Sequence, residues 1–147
     1  MPDDAQATAL FDRLAAIFAP YRSILVAKAD ESGNLYLETP PSPAYPSGLF
    51  FGAVKTGKRY VSFYLMPVYV HPNLLDGISP GLRKRMQGKS CFNFTRQDDE
   101  LLRELETLTA AGFTRFQEDG AIPVTEPATR RNAGRSSRRS DRRSRSR

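Results

Sequence analysis

The chain has 147 residues, enough for one domain with its own hydrophobic core, and its formal net charge is +6. That charge is divided unevenly: residues 1–126 carry 13 Lys and Arg against 15 Asp and Glu, a net −2, whereas residues 127–147 carry nine Arg and one Asp, a net +8. A single Cys and a single His exclude a disulfide framework within the chain and a cysteine-rich zinc site.

The first 20 residues contain no basic stretch ahead of an apolar core, and the chain has no run of about 18 apolar residues. We therefore predict that the protein has no secretory signal and no membrane span, and that it is cytoplasmic.

Residues 3–19 predict the first helix. Leu10, Leu14, Ile17 and Phe18 fall on one stripe at helical spacing, and Pro20 ends the pattern.

Two β-hairpins are predicted next. The β-rich runs 23–29 and 34–39 are separated by a polar turn with a glycine, and the runs 48–54 and 59–65 flank a second turn of the same kind. Four prolines in residues 39–48 predict an extended surface loop between the hairpins.

The segment after the second hairpin is predicted to be irregular, because Pro67 and Pro72 interrupt it. Ser79 then suits the N-cap of a short helix that ends by Gly88, and residues 89–95 predict a short strand.

A leucine-rich helix is predicted from Asp98 onward, with Leu101, Leu105 and Leu108 at helical spacing. Acidic residues in its first turn suit the helix dipole, and Gly112 is predicted to be the residue that follows its last turn.

These elements predict an α+β fold in the order α-β-β-β-β-α-β-α: a curved antiparallel sheet of about five strands with helices packed on one face. The predicted divisions are a domain at 3–117, a linker at 118–129 and a disordered Arg/Ser-rich tail at 130–147.

Period-2 alternation sorts the strand residues into two faces. The face predicted to pack on the helices carries Leu35, Leu37, Val61, Phe63, Leu65, Phe92 and Phe94. The opposite face carries Glu38 and six residues that we predict to bind a small ligand or a protein partner: Tyr36, Tyr60, Ser62, Tyr64, Cys91 and Asn93. The alternative is that loops, or a second copy of the chain in a homodimer, cover these residues.

No cofactor fingerprint, metal-binding motif or catalytic constellation is present, so we predict no cofactor, no metal and no enzymatic activity. One alternative is an enzyme built on Cys91 and His71, because a thiol and an imidazole need only meet in space. Another is a hard cation bound by the acids near the last helix, which are Asp98, Asp99, Glu100, Glu104 and Glu106.

Residues 5–117, and residues 51–113 most closely, resemble the YdhG-like family of small domains of unknown function. The resemblance is carried by the aromatic strand 60–65, the strand entry 88–92, the helix start at Asp98 and Asp99, and the closing leucine helix. It implies a compact α+β fold with helices on a curved antiparallel sheet.

Some relatives in that family are linked to intracellular iron handling by analogy with frataxin. The resemblance therefore implies an iron- or metal-handling chaperone as an alternative function. The chain departs from that pattern, because residues 1–126 are only slightly acidic and lack a long acidic ridge.

The C-terminal segment has the composition of a polyanion-binding arm. It contains no aliphatic residue larger than alanine after Val124, so it cannot bury enough apolar surface to order itself. Guanidinium groups pair bidentately with phosphate, which predicts non-specific, salt-sensitive binding to polyanions such as nucleic acid. The predicted polyanion-binding residues are Arg130, Arg131, Arg135, Arg138, Arg139, Arg142, Arg143, Arg145 and Arg147.

Overall fold

Four helices and a six-stranded antiparallel sheet form the α+β fold of residues 4–124, the part of the chain that the computed structural model describes. The strands lie in the order β1-β2-β3-β4-β6-β5. In chain order the elements are α1 (Asp4–Ala15), a 3₁₀ helix (Ala16–Tyr21), β1 (Val26–Glu31), β2 (Asn34–Glu38), β3 (Phe50–Thr56), β4 (Val61–Leu65), α2 (Met66–Val70), a second 3₁₀ helix (Pro72–Leu75), α3 (Pro80–Arg83), β5 (Met86–Gln87), β6 (Cys91–Phe94) and α4 (Asp99–Glu118).

The predicted helix starts at Ser79 and Asp98 are confirmed. The Ser79 hydroxyl accepts a hydrogen bond from the Leu82 amide, and an Asp98 carboxylate oxygen accepts one from the Leu101 amide. Each satisfies one of the backbone donors that a helix leaves unpaired in its first turn.

The predicted order lacked α2, the second 3₁₀ helix and β5. Residues after Leu65 form α2 and a 3₁₀ helix rather than an irregular segment, because Pro67 and Pro72 lie in first turns, where the missing amide proton costs nothing. The sheet has six strands rather than five, since Met86 and Gln87 pair with β6 after a helix of only four residues. Two residues are too few to show an alternating pattern.

The predicted end of the last helix was wrong. Helix α4 continues through Gly112 to Glu118, and a Cβ at Gly112 would lie 2.8 Å from Pro67 Cβ. The glycine is therefore a close-packing position between α4 and α2. The core also extends past residue 117, because Ala121 and Ile122 are fully buried. The remaining predictions for the linker and tail, from residue 125 on, lie outside the described residues.

Helix α4 is the longest helix of the described chain, with 20 residues, but charged side chains alternate with its buried leucines. No helix within residues 4–124 is long and apolar enough to cross a membrane.

The core lies between the helices and one face of the sheet. Phe18, from the first 3₁₀ helix, stacks on Phe63 of β4 with ring centroids 4.7 Å apart. Phe51 of β3 meets Phe18, Phe113 and Phe116 edge-on at 5.8–5.9 Å. All seven residues predicted to face the helices are at most 2% exposed, so their assignment is confirmed.

Gly52 makes the close approach of Phe18 to the sheet possible. A Cβ at this position would lie 2.5 Å from Phe18 Cζ and 2.8 Å from the Tyr64 carbonyl oxygen. We expect Gly52→Ala to lower the free energy of unfolding by about 2 kcal/mol or more, because the added methyl group displaces a stacked ring in a close-packed core.

Urea denaturation of the purified protein measures this loss. Gly77→Ala is the matched control, because a Cβ at Gly77 meets no atom within 4 Å, and it should be neutral or slightly stabilising. A Gly52→Ala variant as stable as Gly77→Ala would contradict the prediction.

Candidate functional site

The face of the sheet opposite the helices, here called the open face, carries the predicted binding residues. One cross-strand row runs Ala29, Tyr36, Ala53, Tyr64, Cys91, Gln87, with neighbours paired in register across all six strands. A second row runs Asn34, Lys55, Ser62, Asn93. Tyr36, Ser62, Tyr64, Cys91 and Asn93 are all half-buried, whereas their helix-facing neighbours along the strands are fully buried. The structure thus brings these five predicted residues onto one partly exposed surface.

An aromatic cluster occupies the β2–β3 part of the open face. The rings of Tyr36 and Phe50 stack with centroids 4.7 Å apart, and Lys55 Nζ lies 5.6 Å from the centroid of Tyr36. Phe50 reaches this face because β3 has a bulge. Leu37 pairs with Gly52 and the next residue, Glu38, pairs with Phe50, so Phe51 is an extra residue without a partner in β2. The Phe51 side chain turns into the core.

Hydrogen bonds order the polar part of the face. Asn93 Oδ1 accepts from the Ser62 hydroxyl at 2.6 Å and from the Cys91 thiol at 3.4 Å, and Asn93 Nδ2 donates to Gln87 Oε1 at 2.7 Å. Every polar atom of the Asn93 amide is thereby engaged, so the side chain is held in one orientation across three strands.

Tyr64 and Cys91 are uncharged at neutral pH. Burial raises the pKa of the Tyr64 hydroxyl, and the adjacent Cys91 adds to that rise. Burial also raises the pKa of the Cys91 thiol, and its hydrogen bonds with Tyr64 and Ser62 act in the opposite direction without offsetting it. A neutral thiol is a weak nucleophile, so the geometry suits Cys91 to hydrogen bonding rather than covalent chemistry.

Tyr60 lies beside this surface rather than within the strand rows. It precedes β4, its carbonyl accepts from the Gly57 amide, and its side chain is 40% exposed. Together with Asn93, Gln87, Lys84 and Arg85 it lines a cleft of about 340 Å³ at the β6–β5 end of the open face.

The alternative nucleophilic pair is not formed. His71 follows the last residue of α2, a helix that packs on α4, and its Nε2 lies 2.6 Å from Asp119 Oδ2. Cys91 lies on the open face. The two side chains are therefore on opposite sides of the sheet.

Three of the five acids near the start of α4 have structural partners, whereas Asp99 and Glu100 lie exposed in its first turn. Asp98 caps the helix, Glu104 accepts hydrogen bonds from both the amide and the hydroxyl of Ser79, and Glu106 forms an ion pair with Arg13 at 3.0 Å. Within residues 4–124 no group of three or more His, Cys, Asp or Glu side chains is placed to hold a metal ion. Iron handling stays a prediction.

Sequence reasoning missed several members of the open face, among them Phe50, Lys55 and Gln87. Lys55 was assigned to a turn, although β3 extends through Thr56. The sequence offers no signal for Phe50 or Gln87, because the bulge and the pairing of β5 depend on which strands become neighbours.

The chain was also compared with known proteins, and no family model, curated protein or solved structure matches it. The resemblance to the YdhG-like family consequently stays a prediction.

The raised pKa of Cys91 can be tested by alkylation, since this is the only cysteine in the chain. Only the thiolate reacts, so we expect the rate–pH profile for iodoacetamide to have its midpoint at a higher pH in the folded protein than in the urea-unfolded chain. Mass spectrometry of quenched samples gives the rates. A folded-state midpoint at or below the unfolded one would contradict the assignment.

Proposed function

We propose that this protein is a non-enzymatic cytoplasmic binding domain that recognises a protein partner through the open face. The observation that supports the proposal most directly is that Tyr36 and Tyr64 stay partly exposed, while their neighbours along each strand are fully buried beneath the helices. Tyrosine is enriched at protein interfaces, because its ring provides contact area and its hydroxyl a hydrogen bond.

The shape of the face favours a protein over a small ligand. Small-molecule sites are concave and enclose most of their ligand. Across β2, β3 and β4 the open face is instead a surface of sheet side chains, and the cleft beside Tyr60 lies at its end. Ala29 and Ala53 flank Tyr36 in the row, so the larger aromatic rings stand above them and are accessible to a broad partner surface.

The side chains of the open face are pre-ordered, which lowers the entropic cost of binding. Stacking on Phe50 restrains Tyr36, and the hydrogen bonds to Asn93 restrain Ser62 and Cys91. A partner that contacts them needs to immobilise few additional rotamers.

The Arg/Ser-rich segment 127–147 adds a second activity to this proposal, a tether to polyanions that operates independently of the open face. Its support is composition alone, nine arginines with one acid. We also propose that the folded domain is related to the YdhG-like family, which it resembles in sequence.

The partner prediction is tested with immobilised full-length protein and quantitative mass spectrometry of captured proteins. Tyr36→Ser combined with Tyr64→Ser should reduce recovery of the partner at least about tenfold, since interface tyrosines of this kind contribute about 2 kcal/mol each. The captured protein is then purified and titrated by calorimetry against both forms.

Tyr69→Ser is the matched control, because Tyr69 is 52% exposed and lies on α2, away from the open face. Partner recovery should be unchanged in this variant. Equal recovery by the wild-type protein and the open-face variant would refute the proposal, as would a homodimer in light scattering that the open-face variant disrupts.

The tether is tested in the full chain by replacing all nine tail arginines with glutamine. Wild-type protein should bind a heparin column with an affinity that falls steeply with salt, by about 0.7–0.9 log units per log unit of salt for each phosphate-like group neutralised. The variant should elute at much lower salt. Identical elution of the two proteins would rule out the tether.

A further inference from the structure

A second concave surface lies on the helical side of the sheet edge, away from the open face. It is a cleft of about 610 Å³ between α2 with its following 3₁₀ helix on one side and α3 with the β5–β6 turn on the other. Its lining is mostly apolar, contributed by Val68, Tyr69, Pro72, Leu75 and Met86, with the cationic side chains of Arg83 and Lys89. This volume falls in the range that encloses small organic ligands.

Both cations are positioned by contacts that leave their charge uncompensated. Arg83 Nη2 donates to the Leu75 carbonyl at 2.6 Å, and Lys89 Nζ lies 6.0 Å from the centroid of the Tyr69 ring. Neither side chain is ion-paired with an acid of residues 4–124. A guanidinium group has five N–H donors, so Arg83 retains four for a ligand after donating one to a carbonyl.

The charge of the surrounding segment reinforces this arrangement. Residues 39–97 contain eight Lys and Arg but a single acid, Asp76, a net +7, whereas the rest of residues 1–126 carries a net −9. All elements that line the cleft come from the basic segment, and Asp76 does not line it. No acid in the described part of the chain lines the cleft, so Arg83 and Lys89 give it a local positive charge.

We propose that this cleft binds a small organic anion with an apolar body and a carboxylate or phosphate head. The apolar body would pack against Val68, Tyr69 and Met86, and the head would pair with Arg83 and Lys89, whose charges are complementary to it. Most of this site lies away from the open face, because Val68, Tyr69, Pro72, Leu75 and Lys89 belong to α2, the second 3₁₀ helix and the β5–β6 turn. Met86 is shared, since it also borders the cleft beside Tyr60.

The test uses ¹⁵N-labelled full-length protein titrated with three matched probes: 1-naphthaleneacetate, 1-naphthyl phosphate and the neutral 1-naphthaleneacetamide. At least one anion should bind about tenfold more tightly than the amide, because pairing with a charged head is lost in the neutral probe. Saturable chemical-shift changes should centre on the amides of Tyr69, Met86 and Lys89. Whichever anion binds more tightly identifies the head group.

Arg83→Gln combined with Lys89→Gln should weaken anion binding about tenfold or more and leave amide binding nearly unchanged. Lys58→Gln combined with Arg59→Gln is the control, since it removes the same charge from exposed residues of the β3–β4 turn, and it should alter affinity less than about twofold. Lys89→Gln alone retains the Arg83–Leu75 hydrogen bond and keeps the test valid if the double variant unfolds.

Three results would overturn the proposal. The first is equal affinity for the amide and both anions, or no binding of either anion. The second is equal weakening by the cleft and control variants, which indicates unspecific charge attraction. The third is shift changes centred on Tyr36 and Tyr64, which would place the ligand on the open face instead. Loss of the protein partner in the Tyr36 and Tyr64 variant leaves the cleft unaffected, so the two proposals can fail separately.

Discussion

The stacking of Phe18 on Phe63 above Gly52 is the contact on which the rest of this structure depends. Because Gly52 has no side chain, the Phe18 ring approaches the strand backbone closely and carries the first helical segment onto the centre of the sheet. Phe51 then joins this cluster to Phe113 and Phe116 of α4. The aromatic side chains of this face are therefore buried in the core, and the helices pack on that side of the sheet. The opposite face keeps Tyr36, Ser62, Tyr64, Cys91 and Asn93 partly exposed.

A single register irregularity sets the character of the open face. Without the extra residue at Phe51, strict alternation along β3 from Gly52 would turn Phe51 to the open face and Phe50 into the core. The bulge reverses these placements, with Phe51 in the core and Phe50 stacked on the ring of Tyr36. Hydrogen bonds around Asn93 order the polar half of the same face. Such a surface suits recognition by shape and hydrogen bonding.

Charged side chains also have roles outside the open face. Acidic side chains at the start of α4 are used for capping and for holding neighbouring elements, as Glu104 does for Ser79 and Glu106 for Arg13. The basic residues of α3 and the β5–β6 turn lack such partners within the described chain, and they surround an apolar cleft. The domain therefore has two surfaces of different chemistry, an aromatic and hydrogen-bonded face and a cationic cleft. The cationic tail predicted from composition would add a third.

The sequence alone determined the α+β class, the hairpins, the helix caps at Ser79 and Asp98 and the assignment of alternating residues to two faces, because these features follow from local periodicity and from hydrogen bonds within a few residues. Tertiary structure decided the rest. Gly112 was predicted to end a helix, yet it lies within α4 because Pro67 packs against it from a distant segment. The bulge at Phe51, the pairing of β5 with β6 and the cleft at Arg83 likewise exist only once strands far apart in the chain become neighbours, and no local pattern of residues encodes that proximity.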